Sequence, residues 1–269
     1  MSNAYVHGYN VREAARLKDQ AAALTDLLHA GTAYPEDATV LEAGCGVGAQ
    51  TVTLARNSPA AAITSVDISE GSLAQARETA GAAGISNVRF LRADIFDLPF
   101  GEESFDHVFV CFVLEHLTKP VAALRALRRV LKRGDTLTAI EGDHGSTNFY
   151  PDSAYARRVI ACLVELQHRI GGNALIGRQL YPLMREAGLQ SVSVLPRTVY
   201  VDASKPQLIE AVTERTFTAM IEGVRETAIA SGLIDANDFE RGIDDLYRTT
   251  EADGVFCYTF FKAVAFRRE

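Results

Sequence analysis

Apolar positions in the first half of the chain come in short blocks whose period switches back and forth. Between Val11 and Ala30, Leu17, Ala21, Leu24 and Leu28 recur at helical intervals with charges between them; Gly31 stands where a C-cap belongs, and "YPED" makes a turn. Alternation then sets in. "ATVLEAG" predicts a strand and "AQTVTLARNS" a helix that stops near Pro59. "AAITSVDIS" is a second strand, and "SEGSLAQARETAGAAG" a second helix with Ser69 as N-cap and Gly84 just past its end. "NVRFLRAD" and "FDHVFVCFV" read as strands, the latter almost continuously apolar, as a central parallel strand should be. An amphipathic helix, "PVAALRALRRVLKRG", and a fifth strand, "DTLTAIEGD", follow. Strands alternating with helices predict an α/β protein with an open, doubly wound, Rossmann-like sheet.

The second half is patterned differently. Residues 151–188 look helical with glycine interruptions, "QSVSVLPRTVYVD" is strand-like, and residues 206–250 are mostly helical. "VFCYTFFKAVAFRR" closes the chain as a long period-two strand. The expected division is an N-terminal helical lid over 1–37, a nucleotide-binding core over 38–150, and the rest of the core over 151–269. Helical insertions at about 151–188 and 202–250 would cap one edge of the sheet.

Composition narrows the partners. The 269 residues carry 27 basic and 34 acidic side chains, a net charge of −7, which disfavours a phosphate backbone. The basic cluster Arg125, Arg128, Arg129, Lys132 and Arg133 falls at helical spacing and reads as a solvated helix face. Four scattered cysteines form no C-x-x-C pair and no metal-ligand pattern, so a reduced cytoplasmic protein with no metal is expected. No apolar run is long enough to span a membrane, and the N-terminus has no signal-peptide core.

The chemistry starts at "VLEAGCGVGAQT". Gly44, Gly46 and Gly48 allow a sharp turn between a strand and a helix, where backbone can approach a ligand. Asp67, 19 positions after Gly48, ends the next strand, where a carboxylate can accept from both hydroxyls of a ribose. Dinucleotide sites use G-x-G-x-x-G, whereas this loop is G-x-G-x-G preceded by Glu42. An acid there repels a diphosphate but suits the ammonium and sulfonium of S-adenosylmethionine. Asp94 closes the third strand, placed to accept from an adenine amine while Ile95 and Phe96 pack the ring.

These segments, together with "FLRADIFDLPFGEESFDHVFVCFVLEHL" and "ALRALRRVLKRGDTL", resemble the successive motifs of class I S-adenosylmethionine-dependent methyltransferases of the ubiquinone/menaquinone-biosynthesis type. The likeness covers roughly residues 38–141. It implies a seven-stranded sheet with a reversed last strand and S-adenosylmethionine as cofactor. By position it implies that Gly44, Cys45, Gly46 and Gly48 approach the methionine part, oriented by Glu42. Asp67 and Ile68 would meet the ribose, Asp94 and Ile95 the adenine, and the backbone at Cys111 and Phe112 the amino-acid end. His116 is a common family residue beside the site, more often structural than catalytic.

Methyl transfer needs a base only if the acceptor loses a proton, and much of the acceleration can come from positioning in a dry site. "AIEGDHGSTNFYP" follows the fifth strand, so Glu141, Asp143, His144 and Tyr150 should face the acceptor; His144 is the best candidate base, with Glu141 beside it. The other reading is that Glu141 and His144 only hydrogen-bond the loop and the cofactor edge. Tyr5, His7 and Tyr9 precede the first helix, where Tyr9 could pack on the sulfonium and His7 meet the substrate. Tyr181 is a further substrate candidate among several in the cap. A small-molecule acceptor and no nucleic-acid or membrane partner are expected, and a homodimer is open. The rivals are a methyltransferase acting on RNA or protein, and an NAD-linked oxidoreductase using the Y-x-x-x-K pair Tyr258 and Lys262. That pair sits in a strand rather than a helix, which favours coincidence.

Overall fold

The computed structural model describes residues 24–268. Five strands, β1 (Thr39–Ala43), β2 (Ala62–Asp67), β3 (Val88–Arg92), β4 (Phe105–Cys111) and β5 (Leu131–Gly142), run parallel. Three more, β6 (Asn148–Tyr150), β7 (Gln190–Asp202) and β8 (Val255–Phe266), complete the sheet in the order β3-β2-β1-β4-β5-β8-β6, with β7 paired to β8. β8 runs antiparallel to β5, which is the reversed strand expected. The count is eight rather than seven because β6 adds three residues alongside Val255–Cys257, at the start of β8. The chain winds outward from β1 to β3 and then crosses to β4, so the switch point lies between β1 and β4, the place where open sheets bind ligands.

At the centre of the sheet, in β1 and β4, both faces are buried, which is why those strands are mostly apolar. Alternate residues feed opposite clusters: Val40, Phe109 and Ile140 join one, Leu41, Val108, Val110 and Ala139 the other. Helix α1 (Thr51–Asn57) follows β1, and α2 (Glu70–Ala82) follows β2, capped as expected by the Ser69 hydroxyl accepting from the Ser72 N–H. Helix α3 (Pro120–Val130) buries Ala123, Leu124, Leu127 and Val130, a helical stripe. The helix, expected to run on to Gly134, ends at Val130. The strand begins at Leu131, and Arg267, arriving from the other end of the chain, donates to the carbonyls of Arg128, Arg129 and Leu131, capping α3.

The second half contributes α4 (Ala154–Arg169), α5 (Leu180–Glu186), α6 (Arg225–Ala230) and α7 (Ala236–Arg248). α4 and α7 cross closely at Gly242, where a Cβ would lie 2.7 Å from the Tyr155 carbonyl oxygen. Between β7 and α6, residues Ile209–Thr218 form a π-helix, with the Thr216 hydroxyl donating to the Ala211 carbonyl five positions back. Its apolar spacing reads as ordinary helix, so the wider turn was not visible in the pattern. No helix among the described residues is long and apolar enough to cross a membrane.

Candidate functional site

The loop leaving β1 is tied down at each glycine. The Gly44 and Cys45 N–H groups donate to the Val66 carbonyl, and the Gly46 N–H donates to Asp67 Oδ2 at 2.9 Å. All three glycines have left-handed backbone, at φ +73°, +52° and +78°, a region that costs other residues about 1–2 kcal/mol. Their surroundings differ. A Cβ at Gly44 would collide with Val113 at 2.5 Å, and one at Gly48 would lie 3.1 Å from Ala76, so these two let the loop pack against β4's exit and α2. A Cβ at Gly46 would meet nothing within 4 Å among the described residues. Gly46 is the glycine whose backbone stays open to a ligand.

Beneath the loop, the buried carboxyl of Glu42 accepts at Oε2 from the hydroxyls of Thr51 (2.7 Å) and Ser65 (2.5 Å). Burial, with Asp67 nearby, pushes its pKa up to about 7 despite those bonds. Thr51 and Ser65 are site residues that sequence reasoning missed; both fall on ordinary helix and strand positions. Asp67 bridges the Gly46 and Ser69 N–H groups through its two oxygens, leaving lone pairs for further donors. Ile68 beside it is exposed. Asp94 accepts from the Phe96 N–H in a tight turn, Phe96 is exposed, and Ile95 packs partly into the core. Open glycine backbone at Gly46, two nearby acids and an exposed apolar side chain fit a cationic nucleoside cofactor.

At the end of β4, Phe112 has φ +56°, rare for a bulky residue, and its N–H donates to the Ile140 carbonyl. The turn throws Val113 under Gly44, joining the two strands that flank the switch point. Burial raises the thiol pKa values of Cys45 and Cys111, which keeps both neutral.

The expected acceptor residues separate into different environments. Glu141 continues the face of Leu137 and Ala139, opposite Ile140, and its Oε1 accepts from the Val113 and Leu114 N–H groups at 3.0 and 2.8 Å. Burial and the charge of Glu115 hold its pKa well above the carboxylate range. Through that oxygen it serves the β4 exit. Asp143 is also spent internally, in a bidentate ion pair with Arg178 at 2.6 and 2.7 Å. Tyr150 and Tyr181 are 58% and 54% exposed: Phe149 takes the inward face of β6, and Leu180 and Met184 that of α5. The structure does not bring either tyrosine to His144. His116 lies beside Glu115, its Nε2 3.6 Å from Oε1. Tyr5, His7 and Tyr9 lie outside the described residues.

His144 is buried in an aromatic cluster. Its Nδ1 lies 2.8 Å from the Tyr258 hydroxyl, and its ring meets Phe217 edge-on, with Phe256 and Phe260 adjoining. Phe256, Tyr258 and Phe260 alternate along β8 on one buried face, a signal present in "VFCYTFF". Lys262 takes another direction, donating to the Ala30 carbonyl and the Thr32 hydroxyl. Tyr258 and Lys262 thus serve different contacts on a strand. No group of side chains among the described residues could hold a metal.

Comparison with known proteins agrees with this geometry. A family model described as a methyltransferase domain matches residues 41–139. An uncharacterised 37.1 kDa protein of transposon Tn4556 from Streptomyces fradiae is 32% identical over 215 residues, 77% of this chain and 57% of its own length. Demethylmenaquinone methyltransferase of Staphylococcus aureus is 33% identical over 102 residues, 38% of this chain and 42% of that enzyme. Among solved structures, phosphoethanolamine N-methyltransferase 2 of Haemonchus contortus, bound to phosphomonomethylethanolamine and S-adenosylhomocysteine, superposes with a TM-score of 0.57 at 17% identity. That match covers 92% of this chain and 53% of the other, and shows a shared fold. The match to a methyltransferase domain thus runs from Leu41 in β1 to Ala139 in β5, within a sheet that continues through β8.

Proposed function

We propose that the protein transfers a methyl group from S-adenosylmethionine to a small molecule. The observation that carries this reading is the Gly46 backbone, open to a ligand and fastened to Asp67 above the buried acid Glu42. Gly44, Cys45, Gly46 and Gly48 would line the methionine part, Glu42 would attract its positive charge, and Asp67 with Ile68 would hold the ribose. Asp94 and Ile95 would flank the adenine, and the Cys111–Phe112 turn the amino-acid end. When bound, the cofactor supplies a methyl on a sulfonium that leaves as a neutral thioether. The chain's own work is to fix the acceptor in line and keep water out.

The acceptor side is the aromatic cluster around His144, roofed by the π-helix that carries Phe217, with α4, α6 and α7 packed into the same core cluster as a cap. Such a lining favours a compact, partly apolar molecule. The two relatives with named activities also carry small-molecule names, demethylmenaquinone and phosphoethanolamine. An RNA acceptor finds little support: Arg129, Lys132, Arg133 and Arg267 are bound to the protein's own carbonyls and acids. Residues 1–37 would close over the cofactor. Their described end is anchored, with the Ala30 carbonyl accepting from Lys262 and Arg197, and His29 paired to Gln50.

Calorimetric titration with S-adenosylhomocysteine, followed by incubation of methyl-labelled cofactor with a metabolite extract, tests the proposal. Saturable binding and label in a small-molecule fraction are expected. Label in macromolecules alone would move the acceptor to RNA or protein.

A further inference from the structure

We propose that Glu141 is a positioning residue that fastens the β4 exit, and through Val113 the glycine loop, to the end of β5. It does so as an uncharged acid. The inference rests on the reading that the glycine loop holds the methionine part of the cofactor.

Two backbone donors leave β4 just past the left-handed turn at Phe112. The Val113 and Leu114 N–H groups both donate to Glu141 Oε1, at 3.0 and 2.8 Å. β4 has ended at Cys111, so strand pairing does not take them up. Leu114 is fully buried, and its N–H without this acceptor would be stranded, a state disfavoured by roughly ten-fold or more. Val113 then puts its side chain under Gly44, where an added Cβ would lie 2.5 Å from Cγ2. On the other side, the Gly44 N–H donates to the Val66 carbonyl of β2. One carboxyl oxygen thus joins the end of β5 to the β4 exit and to the loop between β1 and α1.

The second oxygen decides the charge. Oε2 is buried with no hydrogen-bond partner, and no cation pairs with Glu141 among the described residues. The titratable groups that face it are Glu115 past the β4 exit, Cys111 at the end of β4 and Tyr258 on β8. Lys262, the cation that reaches Cys111 from β8, is hydrogen-bonded to Ala30 and Thr32. A carboxylate at this place would be a buried charge beside another acid. A proton on Oε2 removes that charge and leaves one unpaired hydroxyl, the smaller cost. Oε1 still accepts from both N–H groups in that form. A neutral acid takes no proton from a methyl acceptor, so the catalytic part expected of Glu141 gives way to an anchoring one.

Calorimetric titration with S-adenosylhomocysteine separates anchoring of the loop from bulk stability. Glu141→Gln keeps a carbonyl oxygen for the two N–H groups and should bind like the wild type. Glu141→Leu strands both donors and should lose roughly ten-fold or more in affinity. Val113→Ala keeps the bonds but removes the contact under Gly44; it should also weaken binding, and it carries the test if Glu141→Leu fails to fold. Wild-type affinity in Val113→Ala and in folded Glu141→Leu, whatever their melting temperatures, overturns the proposal alone, as does an equal loss in Glu141→Gln and Glu141→Leu. The charge has its own readouts. The infrared difference between wild type and Glu141→Gln at neutral pH should contain the carbonyl stretch of an un-ionised carboxylic acid, and carboxylate bands in its place contradict the uncharged form. Above the ordinary glutamate range the unfolded chain loses this proton while the folded one keeps it. The wild type should therefore lose stability relative to Glu141→Gln as pH rises, by at most about ten-fold in the folding constant per pH unit; an unchanging difference contradicts the proposal. A wild-type protein that binds no S-adenosylhomocysteine overturns the proposal together with the reading it rests on.

Discussion

At the scale of single residues, Asp67 and Glu42 carry different parts of the cofactor account. Asp67→Ala removes the acceptor for the Gly46 N–H as well as the expected ribose contacts. Charge-assisted bonds are worth about 1.5–3 kcal/mol each, so titration should show affinity for S-adenosylhomocysteine falling roughly ten-fold or more. Glu42 makes binding depend on pH. Its pKa of about 7 in the free protein leaves it partly protonated at neutrality, and a bound cation stabilises the carboxylate and lowers that value. Affinity for S-adenosylmethionine should therefore rise with pH up to about 7 and level off above it, by at most ten-fold per pH unit. Glu42→Gln should flatten that dependence. Asp67 was legible in the sequence because it ends a strand at a set distance from the glycines. The hydroxyls beneath Glu42 were not, since Thr51 and Ser65 meet it only after β1, β2 and α1 are packed.

At the scale of elements, the glycine loop separates packing from binding. Gly44→Ala drives a methyl into Val113 on the far side of the switch point, so it should lower the melting temperature as well as cofactor affinity. Gly46→Ala meets no atom of the described residues within 4 Å. Calorimetry should show only the left-handed backbone cost of about 1–2 kcal/mol in stability, while titration shows cofactor binding lost. The first five strands were readable because each carries a short apolar block, alternating in β3 and nearly continuous in β4, between turn signals. Three features were not. β6 is only three residues long, the π-helix keeps an ordinary helical spacing, and the direct passage from α3 to β5 depends on an arginine more than 130 positions away. The acceptor candidates show the same limit. Position after β5 drew attention to Glu141, Asp143, His144 and Tyr150, but only packing shows that the first two are bound internally and the last faces solvent.

At the scale of the whole molecule, β8 is the seam. It pairs with β5, β6 and β7, carries the aromatic cluster, and places Lys262 against the end of the N-terminal segment. Just beyond it, Arg267 gathers three carbonyls and Glu103. Arg267→Ala should destabilise the fold by at least one charge-assisted bond, about 1.5 kcal/mol, and lower the melting temperature by several degrees without altering cofactor affinity at a temperature where the fold holds. The central claim is that this fold carries a sulfonium-cofactor site and not a dinucleotide site. Thermal unfolding with each ligand in excess tests it most directly. At one hundred times its dissociation constant S-adenosylhomocysteine should add about 2.7 kcal/mol and raise the melting temperature by roughly 5–11 °C, while NADH leaves it unchanged. A rise with NADH and none with S-adenosylhomocysteine would contradict the account.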